Sequence, residues 1–204
     1  VKAPTLYGLV ESAAAGRIKR FLEKPSWDEI QSNTINAGAY LFEPSVLDRI
    51  PAGVNYSLER GLFPQMLQNN ERLFSYVTGG YWIDIGTVGK YLQVHHDILR
   101  GLTPFKAGQR VQRHPDGAKV VLGPKTTVAD FVRFSGAVCV GPGSMIGKGA
   151  SLEDCVVLEG ARIGEGASLK GCVIGANCRI GAQAVLSAGT ALGAGSKVEP
   201  YSLL

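Results

Sequence analysis

The sequence predicts two folds in series: an α/β layer over residues 1–100 and a stacked β-solenoid over residues 120–204, joined by a linker at 101–119. Three observations carry this. In the first half, short apolar runs alternate with helically spaced ones, the pattern of strands packed with helices. In the second half a large aliphatic residue returns at a nearly fixed six-residue interval, which neither an α-helix nor a flat strand produces. Most of the 27 glycines fall in the last hundred residues, so the two halves are built differently.

The elements follow in order. Residues 6–10 and 18–22 are short apolar strands joined by 13–17, with Gly16 in the turn, and read as a β-hairpin. Pro25 cannot donate to a ladder, so Glu23-Lys24-Pro25 ends the second strand. A short helix or turn over 26–31 comes next, then a strand over 35–42. Gly38 lies inside that strand, where a missing side chain marks close approach by a ligand or another backbone. Residues 44–50 form a helical turn opened by Pro44. Ser57 caps a helix with Leu58, Leu62 and Met66 on one face. Strands over 73–77 and 81–85 follow, the second ending at Gly86-Thr87. A helix over 90–99 places Tyr91, Val94 and Ile98 at helical spacing, and Gly101 stops it. Pro104, Gly108, Pro115 and Gly117 break up the linker.

The repeat runs Leu122, Val128, Phe134, Val140, Ile146, Leu152, Leu158, Ile163, Leu169, Ile174, Ile180, Leu186, Leu192 and Val198. Eleven of its thirteen steps are six residues; Leu158 to Ile163 and Leu169 to Ile174 are five. Glycine follows the aliphatic at 141, 147, 164, 175, 181 and 193. These features predict triangular coils in which each side turns one aliphatic inward and glycine allows the sharp corner. No coil can bury its own aliphatics, so stacking supplies the core. The five-residue steps are expected at slightly irregular corners.

Composition narrows the classes. The net charge of +4 comes from scattered residues, and Lys19-Arg20 beside apolar strand positions reads as a solvated face, not a nucleic-acid patch. No run approaches the ~18 apolar residues needed to span a bilayer, so no membrane role is expected. Cys139, Cys155, Cys172 and Cys178 form no CxxC pair and have no histidine nearby in sequence. They fit buried, reduced thiols of a cytoplasmic protein better than a metal site. Residues 1–10 already read like the middle of a sheet, so the chain is expected to begin inside a domain.

Polar residues at strand ends carry the chemistry. Taken singly, Glu23 and Lys24 fit a solvated strand end, and Asn36 fits a turn. Asp84 stands in Tyr81-Trp82-Ile83-Asp84-Ile85, an otherwise apolar run. A carboxylate buried there is costly unless it is paired or binds a cation; the residues alone leave a metal site and a salt bridge both open.

The segments YGLVES, GRIKRFLEKP, INAGAYLFEPSVLDRIP, SLERGLFPQML and GYWIDIGTVGKY, in this order, resemble the sugar-1-phosphate nucleotidyltransferases. The C-terminal repeat resembles the hexapeptide-repeat proteins. With such a domain attached, the chain is more similar to mannose-1-phosphate guanylyltransferases than to the short glucose-1-phosphate thymidylyltransferases. The resemblance implies an α/β fold, here the sugar-binding half of a partial Rossmann-like nucleotidyltransferase domain, followed by a left-handed parallel β-helix. It implies catalytic roles for Lys24 and Asp84, with Lys24 on the sugar phosphate and Asp84 on Mg²⁺. Gly8, Glu23, Asn36 and Gly38 would bind the sugar: Gly8 through close backbone approach, Glu23 as an acceptor of hydroxyl hydrogen bonds, and Asn36 with its paired donor and acceptor. The implied partners are a sugar 1-phosphate, a nucleoside triphosphate and further copies of the chain in a homo-oligomer.

Two departures stand out. Val88 occupies a place where the family often has proline, which changes a turn and removes no chemical group. The family's glycine-rich nucleotide loop and first metal-binding aspartate are absent, so this chain alone is expected to be inactive. Two other functions fit the same plan. A hexapeptide-repeat acyltransferase would use a histidine base between coils. His95, His96 and His114 all precede the repeat, the first two on a helix face. A non-catalytic assembly or regulatory subunit would have no need of Glu23, Lys24, Asn36 and Asp84 together.

Overall fold

The computed structural model describes residues 7–23, 25–30, 32–114 and 117–204. Two compact units make up the chain, Val1–Trp82 and Ile83–Leu204.

In the first unit, β1 (Gly8–Ser12) and β2 (Ile18–Glu23) form the predicted antiparallel hairpin, pairing Gly8 with Glu23 and Val10 with Phe21. The bend between them uses Ala15 and Gly16 at φ 62° and 78°. Gly16 is also pressed on Ser75: a Cβ there would stand 2.8 Å from the Ser75 carbonyl oxygen. A helical turn at Trp27–Glu29 matches the expectation for that stretch. On the far edge of β1, the Val10 N–H donates to Thr34 O (3.0 Å) and the Asn36 N–H to Gly8 O (2.7 Å).

Short helices cover this hairpin. α1 (Pro44–Leu47) starts at its proline. The Ser57 hydroxyl accepts from the Arg60 N–H at 3.1 Å, which starts a wide turn at Leu58–Leu62 that continues as α2 (Phe63–Gln68). Val46, Leu62, Phe63 and Met66 form the core against Phe21, Tyr40 and Phe42, with Phe21 and Phe63 stacked at 4.8 Å.

Three predicted strands are not formed. Residues 35–42 and 73–77 make single bridges, at Ile35 to Leu9 and at Phe74 to Arg17, and 81–85 has no strand. A strand needs a neighbour to complete its ladder. The neighbours these segments find run for about three residues, and Leu41, Tyr76 and Val77 stay exposed.

The second unit opens with α3 (Val88–Arg100). The Thr87 hydroxyl caps it by accepting from the Lys90 N–H at 3.3 Å, and Gly101, at φ 73°, ends it. Its most buried residues are Leu92 and Leu99; Tyr91, Val94 and Ile98 flank them half-buried. α3 lies on the strands Lys119–Leu122 and Ala137–Val140. His96 and His95 are both half-buried. The His96 Nε2 is 3.6 Å from Asp154 Oδ1, and the His95 ring packs on Tyr91.

From Lys119 onward the chain is a parallel β-solenoid with three sheets of six, five and four strands. One of the six, Gln112–Arg113, precedes the coils and pairs antiparallel; the other five are parallel. Leu122, Val140, Val157, Ile174 and Leu192 stack in register on one face. Val128, Ile146, Ile163, Ile180 and Val198 stack on the second. Phe134, Leu152, Leu169 and Leu186 stack on the third. Strand alternation also turns inward the residue two places earlier, where Ala150, Ala161, Ala167, Cys155, Cys172, Cys178 and Ala184 are wholly buried; in the first sheet Val120 and Val138 fill the same position. Each fully buried Leu or Ile in this stack contributes about 2 kcal/mol of transfer free energy.

The repeat is as predicted except at one position. Val157, 1% exposed, fills the core, and Leu158 is half-buried beside it. The five-residue steps are therefore Leu152 to Val157 and Leu169 to Ile174. Both fall at the same corner of successive coils, where Asp154 (φ 49°) and Gly171 (φ 55°) make the bend. The glycines after the aliphatics also have a different role from the one expected. Positive φ falls two residues later, at Gly143, Gly149, Gly166, Asn177 and Gly195. Glycine at 141, 147, 164 and 175 instead makes room for the next coil, whose backbone a Cβ would meet at 2.5–2.7 Å.

Candidate functional site

The backbone brings three predicted site residues together in the first unit. Gly8 pairs with Glu23 across the hairpin on one side and bonds to the Asn36 N–H on the other. The strand ends at Gly8 and Glu23 and the extended segment at Asn36 are thus adjacent. Lys24 lies outside the described residues. Gly38 takes φ 74°, and a Cβ there would meet nothing within 4 Å. Its glycine serves the backbone conformation and leaves open space beside Asn36, so no neighbouring backbone crowds it as its place in the sequence suggested.

Asn36 is held by a chain of hydrogen bonds. Its Nδ2 donates to the Tyr40 hydroxyl at 2.6 Å and points at Glu59 Oε1 at 3.4 Å. The Tyr40 hydroxyl donates to Glu59 Oε1 at 2.7 Å. The Asn36 Oδ1 accepts from the Gly38 N–H at 3.1 Å, and the Ser57 hydroxyl donates to Glu59 Oε2 at 3.1 Å. The Tyr40 hydrogen bond holds the Glu59 carboxyl below its ordinary range, since it favours the charged form. Sequence reasoning missed Tyr40 and Glu59. The signal for Tyr40 was present: in extended chain, positions four apart share a face. Glu59 joins only through the tertiary fold.

Asp84 belongs to the second unit. It is exposed, three residues ahead of the Thr87 cap, and a Cβ at Gly86 would stand 3.5 Å from its Oδ1. The buried apolar strand that made its charge conspicuous in the sequence is not formed. Among the described residues no three His, Cys, Asp or Glu side chains group as a metal cluster. The cysteines are free thiols, three of them buried, with Cys155 and Cys172 Sγ 3.5 Å apart. Among the described residues no helix is long and apolar enough to cross a membrane.

Two known families match the chain, one over each half. Residues 1–101 match the nucleotidyl transferase family and residues 117–204 match the GMPPB C-terminal domain. The chain belongs to the nucleotidyl transferase family. It is 35% identical to a mannose-1-phosphate guanylyltransferase of Mycobacterium tuberculosis, over 77% of this chain and 42% of that protein. It is 32% identical to a UTP–glucose-1-phosphate uridylyltransferase of Synechocystis, over 75% and 44%. It is 38% identical to the catalytic subunit beta of mannose-1-phosphate guanylyltransferase from Drosophila melanogaster, over 73% and 34%. The chain spans less than half the length of these relatives.

Proposed function

We propose that this chain supplies the sugar-binding part of an enzyme that transfers a nucleotidyl group from a nucleoside triphosphate to a sugar 1-phosphate. Mannose 1-phosphate and GTP are the substrates most in keeping with the relatives, two of which carry that activity in their names. The observation that carries the reading is the meeting of the paired strand ends at Gly8 and Glu23 with the backbone at Asn36, with open space at Gly38. In the reaction, a phosphate oxygen of the sugar 1-phosphate attacks the α-phosphorus of the triphosphate. The bond to the β-phosphate breaks and pyrophosphate leaves. Two anions must approach in line, so the protein's task is to position them and offset their repulsion.

Glu23 would accept from sugar hydroxyls and Lys24 would hold the sugar phosphate as a compact charge. Asp84 would hold Mg²⁺, which takes one or two carboxylates together with substrate phosphates. Its exposed, hard oxygen donors fit that ion. Bound there, Mg²⁺ would neutralise phosphate charge. Residues 1–100 would act in sugar binding, 101–119 as a linker, and 120–204 as an assembly domain in a cytoplasmic homo-oligomer.

The test is the activity of the complete protein encoded by its gene, with four nucleoside triphosphates against mannose and glucose 1-phosphates. Asp84→Asn should abolish Mg²⁺-dependent turnover, and Lys24→Ala should raise the KM for the sugar phosphate. Unchanged turnover in the first variant or an unchanged KM in the second would refute that residue's role.

A further inference from the structure

The amide of Asn36 is oriented by partners that leave no choice. The Gly38 N–H can only donate, so the atom facing it at 3.1 Å is the carbonyl oxygen. The Glu59 carboxylate can only accept, so the atom facing it is the amide nitrogen. The Tyr40 hydroxyl sits between, donating to Glu59 and accepting from Asn36. Both Nδ2 hydrogens are therefore directed into the protein. What remains toward the open side, where Gly38 leaves space, is a lone pair on Oδ1.

We infer that Tyr40 and Glu59 are positioning residues that fix Asn36 as a hydrogen-bond acceptor for one hydroxyl of the bound sugar. This rests on the reading of Asn36 as a sugar-binding residue. It departs from the expectation that Asn36 uses a paired donor and acceptor, because the donor is spent on Tyr40 and Glu59. Tyr40 is tied into the aromatic core, its ring 5.0 Å from Phe63, and Glu59 follows the Ser57 cap. The amide is thus referenced to two separate elements, and a hydroxyl that cannot donate gains nothing from it.

The test uses the complete enzyme with mannose 1-phosphate, or glucose 1-phosphate if that is the sugar turned over. Tyr40→Phe removes one oxygen and keeps the ring; Glu59→Gln keeps the shape and removes the charge. Each should raise the KM for the sugar phosphate about five- to tenfold, the worth of one hydrogen bond, and leave the KM for the triphosphate unchanged. Neither should add to the effect of Asn36→Ala in a double variant. In the parent enzyme, the deoxy and deoxyfluoro sugar phosphates altered at the hydroxyl facing Asn36 should be equally poor, since fluorine accepts and cannot donate. If Asn36→Ala raises the KM while Tyr40→Phe and Glu59→Gln do not, the positioning role is wrong and the sugar site stands. Additive effects, or recovery of binding by fluorine, overturn it equally. If Asn36→Ala itself leaves the KM unchanged, the sugar-site reading fails and the positioning role goes with it. Thermal melts of each variant separate these outcomes from loss of fold.

Discussion

Gly164→Ala tests why glycine recurs after the buried aliphatics. A Cβ at 164 would stand 2.6 Å from Ala182 N, 2.6 Å from Gly181 C and 2.8 Å from Ile180 O. Comfortable non-bonded contacts lie near ~3.5–4.0 Å, so the methyl is about 1 Å too close to three backbone atoms. None of these is a flexible side-chain end, and moving them strains the bond from Gly164 N–H to Ile180 O at 2.8 Å. Overpacking of this kind costs about 1–3 kcal/mol, which at this chain length lowers the melting temperature by about 2–12 °C. Gly193→Ala is the matched control, because a Cβ there meets nothing within 4 Å. That change should be neutral or stabilising by up to about 1 kcal/mol, through loss of unfolded-state freedom. Circular dichroism melts at one scan rate, with hydrogen exchange at the Gly164 amide, read both variants. Equal melting of Gly164→Ala and Gly193→Ala would refute the argument that these glycines are spacers between coils.

Three further outcomes follow. Asp154→Ala removes the acceptor of the Ala137 N–H (2.9 Å). It should destabilise the second unit by about 1–3 kcal/mol, whereas Asp154→Asn, which keeps an acceptor and tolerates φ 49°, should retain most of the stability. The thiols should resist a disulfide reagent such as DTNB at pH 8 until the protein unfolds, since three are buried and burial pushes Cys139 up to about 11; immediate reaction of Cys139 would contradict this. Glu59 is held below its ordinary 4.5 by the Tyr40 hydrogen bond, so its contribution is full above that value and is lost as pH falls through the lower folded one. Acid titration below pH 4.5 should therefore destabilise the parent chain more steeply than Glu59→Gln, and parallel curves would count against it.

The solenoid was legible because one period repeats over many coils, so single errors average out. The slip at Leu158 shows the limit: Val157 and Leu158 are both apolar, and only the register of the stack decides which turns inward. The hairpin and the caps at Ser57 and Gly101 were legible from local chemistry. The strands predicted at 35–42, 73–77 and 81–85 were not formed, because apolar alternation states a preference and a ladder requires a partner. The resemblance proposed Gly8, Glu23 and Asn36 as sugar-binding residues, while their adjacency and the Tyr40–Glu59 support of Asn36 required the fold.

The shortened corners at Asp154 and Gly171 have a consequence for how such a domain changes length. In a flat sheet, losing one residue would turn every later side chain inside out. Here the chain drops a residue at a bend, and the next strand resumes with Val157 and Ile174 still facing the bore. Single-residue insertions and deletions can thus accumulate along the edges of the prism during divergence without exchanging its interior for its surface.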